Sequence, residues 1–282
     1  ASEGSSLEYE LARAISAAQR TGKRRVGLFS TLPVLEKINM ESRTLTPAWW
    51  SIRKLQEQFE VVELDGKTPP EASLDALILL HPKEMSQEFL DWTVDFLDAG
   101  GGVFAALDPL SRVEAQINGL TRLTRASELP EMLAERWGVD FEKGRVVADR
   151  ALASPMTDSR RGIETIPTLV TVSKAQLSGD SPVTSHLSSL TFFCGGYFDV
   201  KESQGATATV LAHSTPDSQA LLTYQAKRDA AAILTDFKPD SREYPLALQI
   251  SEDSGGRAIL VGDADWLHDS ICVNLTTDAM GA

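Results

Sequence analysis

Apolar residues along the first half of the chain fall into short runs separated by helical stripes, and the clearest such stretch is 74–111. Residues 76–80 are continuously apolar, the pattern of a strand buried on both faces, and Pro82 ends it. Ser86 stands where a helix cap belongs, and Phe89, Trp92, Phe96 and Leu97 recur after it at helical spacing. Gly100, Gly101 and Gly102 stop that helix, because glycine tolerates the left-handed conformation of a C-cap. Residues 103–107 form a second apolar strand, closed by Asp108-Pro109. This order predicts a βαβ unit with parallel strands and a right-handed crossover.

The rest of the chain extends the pattern. Ser5 and Glu8 make a capping box ahead of a stripe of Leu7, Leu11, Ala14, Ile15 and Ala18, which predicts an amphipathic helix within 1–22. Residues 25–30 and 60–64 read as strands, and 31–46 as an irregular connection that is long for its kind. Thr46-Pro47 reads as a cap and first helical position, continued by Trp49, Ile52, Leu55 and Phe59. Ser127 reads as the cap of a helix carrying Leu129, Met132, Leu133 and Trp137, stopped by Gly138. Residues 149–162 read as loop. Strands are expected at 145–148, 166–172, 190–193, 207–212, 230–237 and 257–261, with 220–224 as a hairpin partner of 230–237. The fold class that follows is α/β: a mainly parallel sheet flanked by helices, with mixed or antiparallel strands added in the second half. It is expected as one domain over 23–275, with 23–150 and 151–275 as sub-lobes, followed by a polar tail at 276–282.

Composition narrows the function classes. The 282 residues are 42% hydrophobic, enough for a sizeable core. A formal charge of -13 argues against nucleic acid or anionic lipid as a direct ligand. No run of 18 apolar residues is present, so no membrane-spanning helix is expected, and no secretory signal pattern appears. The start at Ala1 and the polar end read as a soluble excised fragment. Cys194 and Cys272 lack metal-ligand spacing; one disulfide and two buried thiols fit equally well.

Candidate chemistry gathers at the predicted C-terminal ends of strands, where α/β folds place ligands. His81, Asp108, Asp263 and Asp265 lie there, with His268 close by. One reading is a metal or hydrolytic site; the other is that the aspartates cap turns and helix starts, their commoner use. His186 and His213 stand alone, and HxxH, HxH and CxxC are absent. A nucleophile elbow needs Ser or Cys at the strand-to-helix turn and an N–H on the next residue. Here the turn carries Asp108, followed by Pro109, which has no N–H. The triple glycine precedes a strand, whereas a phosphate loop follows one, and Gly195-Gly196 reads as a turn or bulge. No catalytic, metal or cofactor assignment follows from these residues.

Several segments together resemble one family. They are RRVGLFSTLP from Arg24, WWSIRKLQEQFEVVELD from Trp49, LDALILLHPKEMSQEFLDWTVDFLDAGGGVFAALDP from Leu74, and RAILVGDADWL near the end. The third is the most specific, through its His-Pro-Lys turn and the triple glycine before a strand ending in Asp-Pro. The chain is similar to the auxiliary component of an uncharacterised ABC transport system, the gliding-motility-associated (GldG-like) family. The resemblance spans about 5–274 and is weak between about 112 and 226. It implies a flavodoxin-like or class I glutamine-amidotransferase-like fold with no established catalytic residues and no cofactor. It also implies permease and ATPase subunits as partners. The location it implies is the periplasmic side of the inner membrane, with anchoring by flanking helices that these residues do not include. Homo-oligomerisation stays open. A non-enzymatic binding domain is therefore the leading expectation. A hydrolase or metal-dependent carbohydrate-active enzyme using His81, Asp108 and Asp263, and a solute-binding protein, are the alternatives.

Overall fold

Five parallel strands run inward from one edge of a seven-stranded sheet. The computed structural model describes residues 23–39, 44–117, 124–158 and 162–272. The first half supplies β1 (Arg25–Ser30), a small hairpin of β2 (Lys37–Asn39) and β3 (Thr44–Thr46), α1 (Trp50–Gln58), β4 (Glu60–Leu64), β5 (Ala76–Leu80), α2 (Gln87–Asp98) and β6 (Gly102–Ala106). Two short helices follow, α3 (Arg112–Ile117) and α4 (Glu131–Trp137). Next come β7 (Val139–Phe141), β8 (Arg145–Asp149), β9 (Ala153–Asp158), β10 (Gly162–Ser173), β11 (Ser189–Phe193), β12 (Phe198–Val200), β13 (Ala206–His213) and β14 (Ser218–Leu222). The chain then runs through α5 (Ala230–Asp236), β15 (Pro245–Glu252), β16 (Arg257–Val261), a 3-10 turn (Asp265–Leu267) and α6 (Asp269–Cys272).

The sheet order is β13-β15-β16-β6-β5-β1-β4. From β4 to β16 every pairing is parallel, and β15 and β13 join antiparallel at the β16 edge. The parallel strands expected from sequence are all in this sheet, and β5 pairs with β6 in register from Ala76↔Gly102 to Leu80↔Ala106. Numbered among themselves, the five parallel strands run 2-1-3-4-5, the flavodoxin-like order. The remaining strands are antiparallel: β9, β10 and β11 form one sheet, and β8 pairs with β14 and β7 with β12.

Period-2 alternation along β5 and β6 sends residues to two cores. Leu77, Leu79, Val103 and Ala105 face α2 and α4, packing with Phe89, Leu97, Leu133 and Trp137. Leu80 and Ala106 face the other way, onto Trp49 and Ile52 of the α1 region. Each fully buried side chain of this size stabilises the fold by roughly 1.5–3 kcal/mol, which is why the strands read as unbroken apolar runs. Ser86 caps α2 as expected, its Oγ accepting the Phe89 N–H at 3.1 Å. Gly138, at φ 62, ends α4 in the left-handed conformation.

Elsewhere the structure departs from the sequence pattern. Residues 230–237 are not a strand: α5 occupies Ala230–Asp236, where successive alanines favour helix. Its supposed hairpin partner is β14, which pairs with β8 instead. Residues 149–162 are not loop but contain β9 and the start of β10, which pair with each other antiparallel. Helix α1 starts at Trp50, because the Trp49 amide is already bound to the Val34 carbonyl at 3.0 Å. Ser127 does not cap α4, which begins after Pro130 without a side-chain cap. Strand β15 and helix α3 lie where no element was anticipated. Cys194 and Cys272 are free thiols. The expected N-terminal helix and polar tail lie outside the described residues.

Candidate functional site

Strands β6 and β16 are parallel neighbours, paired through Ala106↔Val261, so they deliver Asp108 and Asp263 to the same end of the sheet. The turn after β16 is tight. A Cβ on Gly262 would lie 2.5 Å from the Gly196 carbonyl oxygen, so only glycine permits the approach that aims Asp263 inward. Asp265 follows in the next turn. Asp108, Asp263 and Asp265 each offer a carboxylate oxygen within 4.8 Å of the others. All three are 0% exposed.

Each carboxylate is spent on donors from its surroundings. Asp108 accepts the Leu110 amide at 2.8 Å and, more weakly, that of Ala264 at 3.4 Å. Asp263 accepts the amides of Phe193 at 2.5 Å and Asp265 at 2.7 Å. Asp265 accepts the Ser111 hydroxyl at 2.7 Å and the Arg112 amide at 2.5 Å, and so caps α3 from a distant part of the chain. Burial raises the pKa of Asp108 and Asp263 well above the ordinary carboxylate range, and the neighbouring carboxylates raise them further. Burial also raises Asp265, to about 6, against the pull of its hydrogen bonds to Ser111 and Arg112. Burial and mutual repulsion therefore move the titration of the cluster to higher pH than that of isolated aspartates.

A second polar chain runs beside it. His81 Nδ1 lies 2.6 Å from Ser127 Oγ, and His81 Nε2 lies 3.3 Å from Glu114 Oε2. Lys83 Nζ donates to Glu114 at 2.7 Å, and Ser127 Oγ accepts the Asp108 amide at 2.7 Å, which ties the two networks together. Burial works to raise Glu114, but bonds from His81 and Lys83 outweigh it and hold the pKa at about 2. Burial lowers the pKa of His81. An ionised Glu114 only accepts, so His81 carries its proton on Nε2. Nδ1 of the neutral ring then accepts the Ser127 hydroxyl. His81 itself has φ 49, rare for a residue with a side chain.

In a flavodoxin-like order the ligand crevice opens where β1 and β5 lead their connections apart. Here it is bridged: Thr31 Oγ1 donates to the His81 carbonyl at 2.5 Å, with Leu32 and Val34 buried alongside. His81 and Ser127 are 0% exposed. The structure thus brings Asp108, Asp263 and Asp265 into one cluster, with His81 in the adjoining chain. His268 is apart, its ring edge-on to Trp49 at 4.9 Å and its Nδ1 2.8 Å from Ser270 Oγ. Sequence reasoning missed Ser111, Glu114 and Ser127 as members of these networks. Lys83 was visible only as part of the His-Pro-Lys turn.

A family model described as an ABC-type uncharacterized transport system matches residues 23–279. The chain belongs to this family. Membership makes it an auxiliary component of an ABC transport system. Among solved structures, the N-terminal domain of mmIFT52 superposes with a TM-score of 0.52 at 12% identity, covering 87% of this chain and 89% of that one. At this identity the likeness concerns the fold of the auxiliary component alone. A cytoplasmic protein from Salmonella typhimurium matches at TM-score 0.43 and 13% identity, covering 86% of this chain and 87% of that one. A putative ThuA-like protein from Bacteroides uniformis matches at 0.44 and 13%, covering 86% and 83%. A search of curated proteins found no match.

Proposed function

We propose that this auxiliary component is non-enzymatic and works by binding, on the outer side of the cytoplasmic membrane, against the permease and ATPase subunits of its transport system. The observation that carries the reading is the closed strand end. Asp108, Asp263 and Asp265 are fully buried and committed to amide and hydroxyl donors, and the crevice beside them is bridged by Thr31 and His81. Pro109 also leaves the elbow position without a donor. The extracytoplasmic location and a narrower role in gliding motility rest on the sequence resemblance alone. The metal-enzyme reading draws on the proximity of the three carboxylates. It is opposed by the N–H groups aimed at them, whose dipoles favour anions over cations. The solute-binding reading calls for two similar lobes, and the described residues hold one parallel sheet.

The test is affinity purification of the parent protein from detergent-solubilised membranes of its own organism. The reading expects a permease and an ATPase at stoichiometric yield. Recovery of neither, together with turnover of a small substrate by the purified domain, would replace it with the enzyme reading.

A further inference from the structure

We propose that a cavity between α5 and the three-stranded sheet of β9, β10 and β11 binds a small monocarboxylate, with Arg112 holding the carboxylate group. The cavity measures about 180 Å³. Pockets for drug-sized ligands start at roughly 300 Å³, so its occupant is smaller than those. Strands β10 and β11 pair antiparallel and bring Ile166 and Phe193 to the cavity, beside Met156 of β9. All three of these apolar side chains are only half-buried. Ala226 and Ile233 of α5 and its approach complete the apolar lining. Such walls offer a ligand nothing to hydrogen-bond, so the body of the ligand is apolar.

Arg112 supplies the polar end. Its guanidinium lies over the Phe193 ring, 5.6 Å from the centroid. Both residues are fixed through their backbones: Asp265 accepts the Arg112 amide at 2.5 Å, and Asp263 accepts the Phe193 amide at 2.5 Å. The buried carboxylates thus set the pair in place and leave the Arg112 side chain to the cavity. Among the described residues, no hydrogen bond or ion pair reaches that guanidinium. Its N–H donors form a fixed fork that matches the two oxygens of a carboxylate. The surrounding charges limit the ligand to one negative group. Glu164 and Asp229 also line the cavity, and a phosphate dianion would bring a second negative charge towards them. Lys227 and Arg228 line it too, but both are exposed, and Arg228 already donates to Asp236 at 2.6 Å. Arg112 is half-buried and is the cation set back from solvent.

Calorimetric titration of the full chain with hexanoate tests this, with hexanol and inorganic phosphate titrated alongside. Hexanoate should bind one to one with a Kd of about 1 mM or tighter. Hexanol has the same apolar body without the charge and should bind at least about tenfold more weakly. Arg112→Ala should weaken hexanoate binding at least about tenfold. The urea midpoint of that variant should stay near the wild-type value, because the bond to Asp265 uses the backbone amide. Arg112→Lys keeps the charge and loses the fork, so it should weaken binding by a smaller factor. No saturation by about 10 mM hexanoate, or equal affinity in wild type and Arg112→Ala, would overturn the proposal. Phosphate binding more tightly than hexanoate would overturn the assignment to a monocarboxylate. Neither titration involves transporter subunits, so the outcome is independent of the purification from membranes.

Discussion

Ser111 and Asp265 are joined by a 2.7 Å hydrogen bond across 154 positions of sequence. The same carboxylate accepts the Arg112 amide, so the turn after β16 holds the start of α3 in place. Two loops that close the end of the sheet are thereby locked to each other. Asp265→Ala should cost about 1–3 kcal/mol in urea denaturation at pH 7, because it leaves buried donors unpaired. An unchanged midpoint would show that Asp265 does not hold α3.

Asp108 makes the pH dependence testable. Its pKa is raised in the fold, so its contribution to stability is fully present below the ordinary aspartate value of 3.8 and is lost as pH rises through the folded value. Asn keeps an oxygen for the Leu110 amide and carries no charge. Asp108→Asn should therefore cost up to about 1 kcal/mol at low pH, where the wild-type carboxyl is protonated, and should gain on the wild type as pH rises. Parallel stability curves for the two proteins would contradict this. His81 works with the opposite sign, since its lowered pKa makes its contribution grow as pH rises towards 6.5. The variant-minus-wild-type difference separates the two.

The parallel sheet was legible because its strands are buried on both faces, which forces continuous apolar runs such as 76–80, and because Ser86 and Gly100 punctuate α2 locally. The clustering of Asp108, Asp263 and Asp265 was legible as far as strand ends allow. Their partners were not. Ser111, Glu114 and Ser127 are ordinary polar residues in a polar stretch, and only β6 and the turn after β16 give them a destination. Ser127 carried a cap pattern that tertiary structure overrides, because its hydroxyl is taken by His81 and the Asp108 amide. The second half was harder still. Strands such as β9 face solvent on one side, and an alanine-rich run near Ile233 has no periodicity that separates buried helix from strand.

Ser127 gives a spectroscopic prediction. In the wild type, nitrogen-15 shifts should report a neutral His81 protonated on Nε2 at pH 7. Ser127→Ala removes the donor to Nδ1 and the acceptor of the Asp108 amide. It should cost about 1–3 kcal/mol and perturb the Nδ1 resonance. A charged or Nδ1-protonated ring in the wild type would contradict the assigned network.

The thiols should differ in reactivity. Burial pushes Cys194 up to about 12, and it is enclosed in the core, while Cys272 is half-buried and raised less far. Native protein at pH 8 should take one maleimide label, at Cys272, and a second only on denaturation. Rapid native labelling of Cys194 would show that the core around it opens.

On the reading proposed above, the buried carboxylates at the strand ends hold the fold together and take no metal ion. The most direct measurement is calorimetric titration of the wild-type chain with Mn²⁺, Ca²⁺ and Zn²⁺ at pH 7.5, with melting curves alongside. The expected result is no saturable site and no shift in Tm. One-to-one binding that stabilises the fold by about 2.7 kcal/mol at a hundredfold excess over Kd, and that Asp263→Asn abolishes, would contradict it.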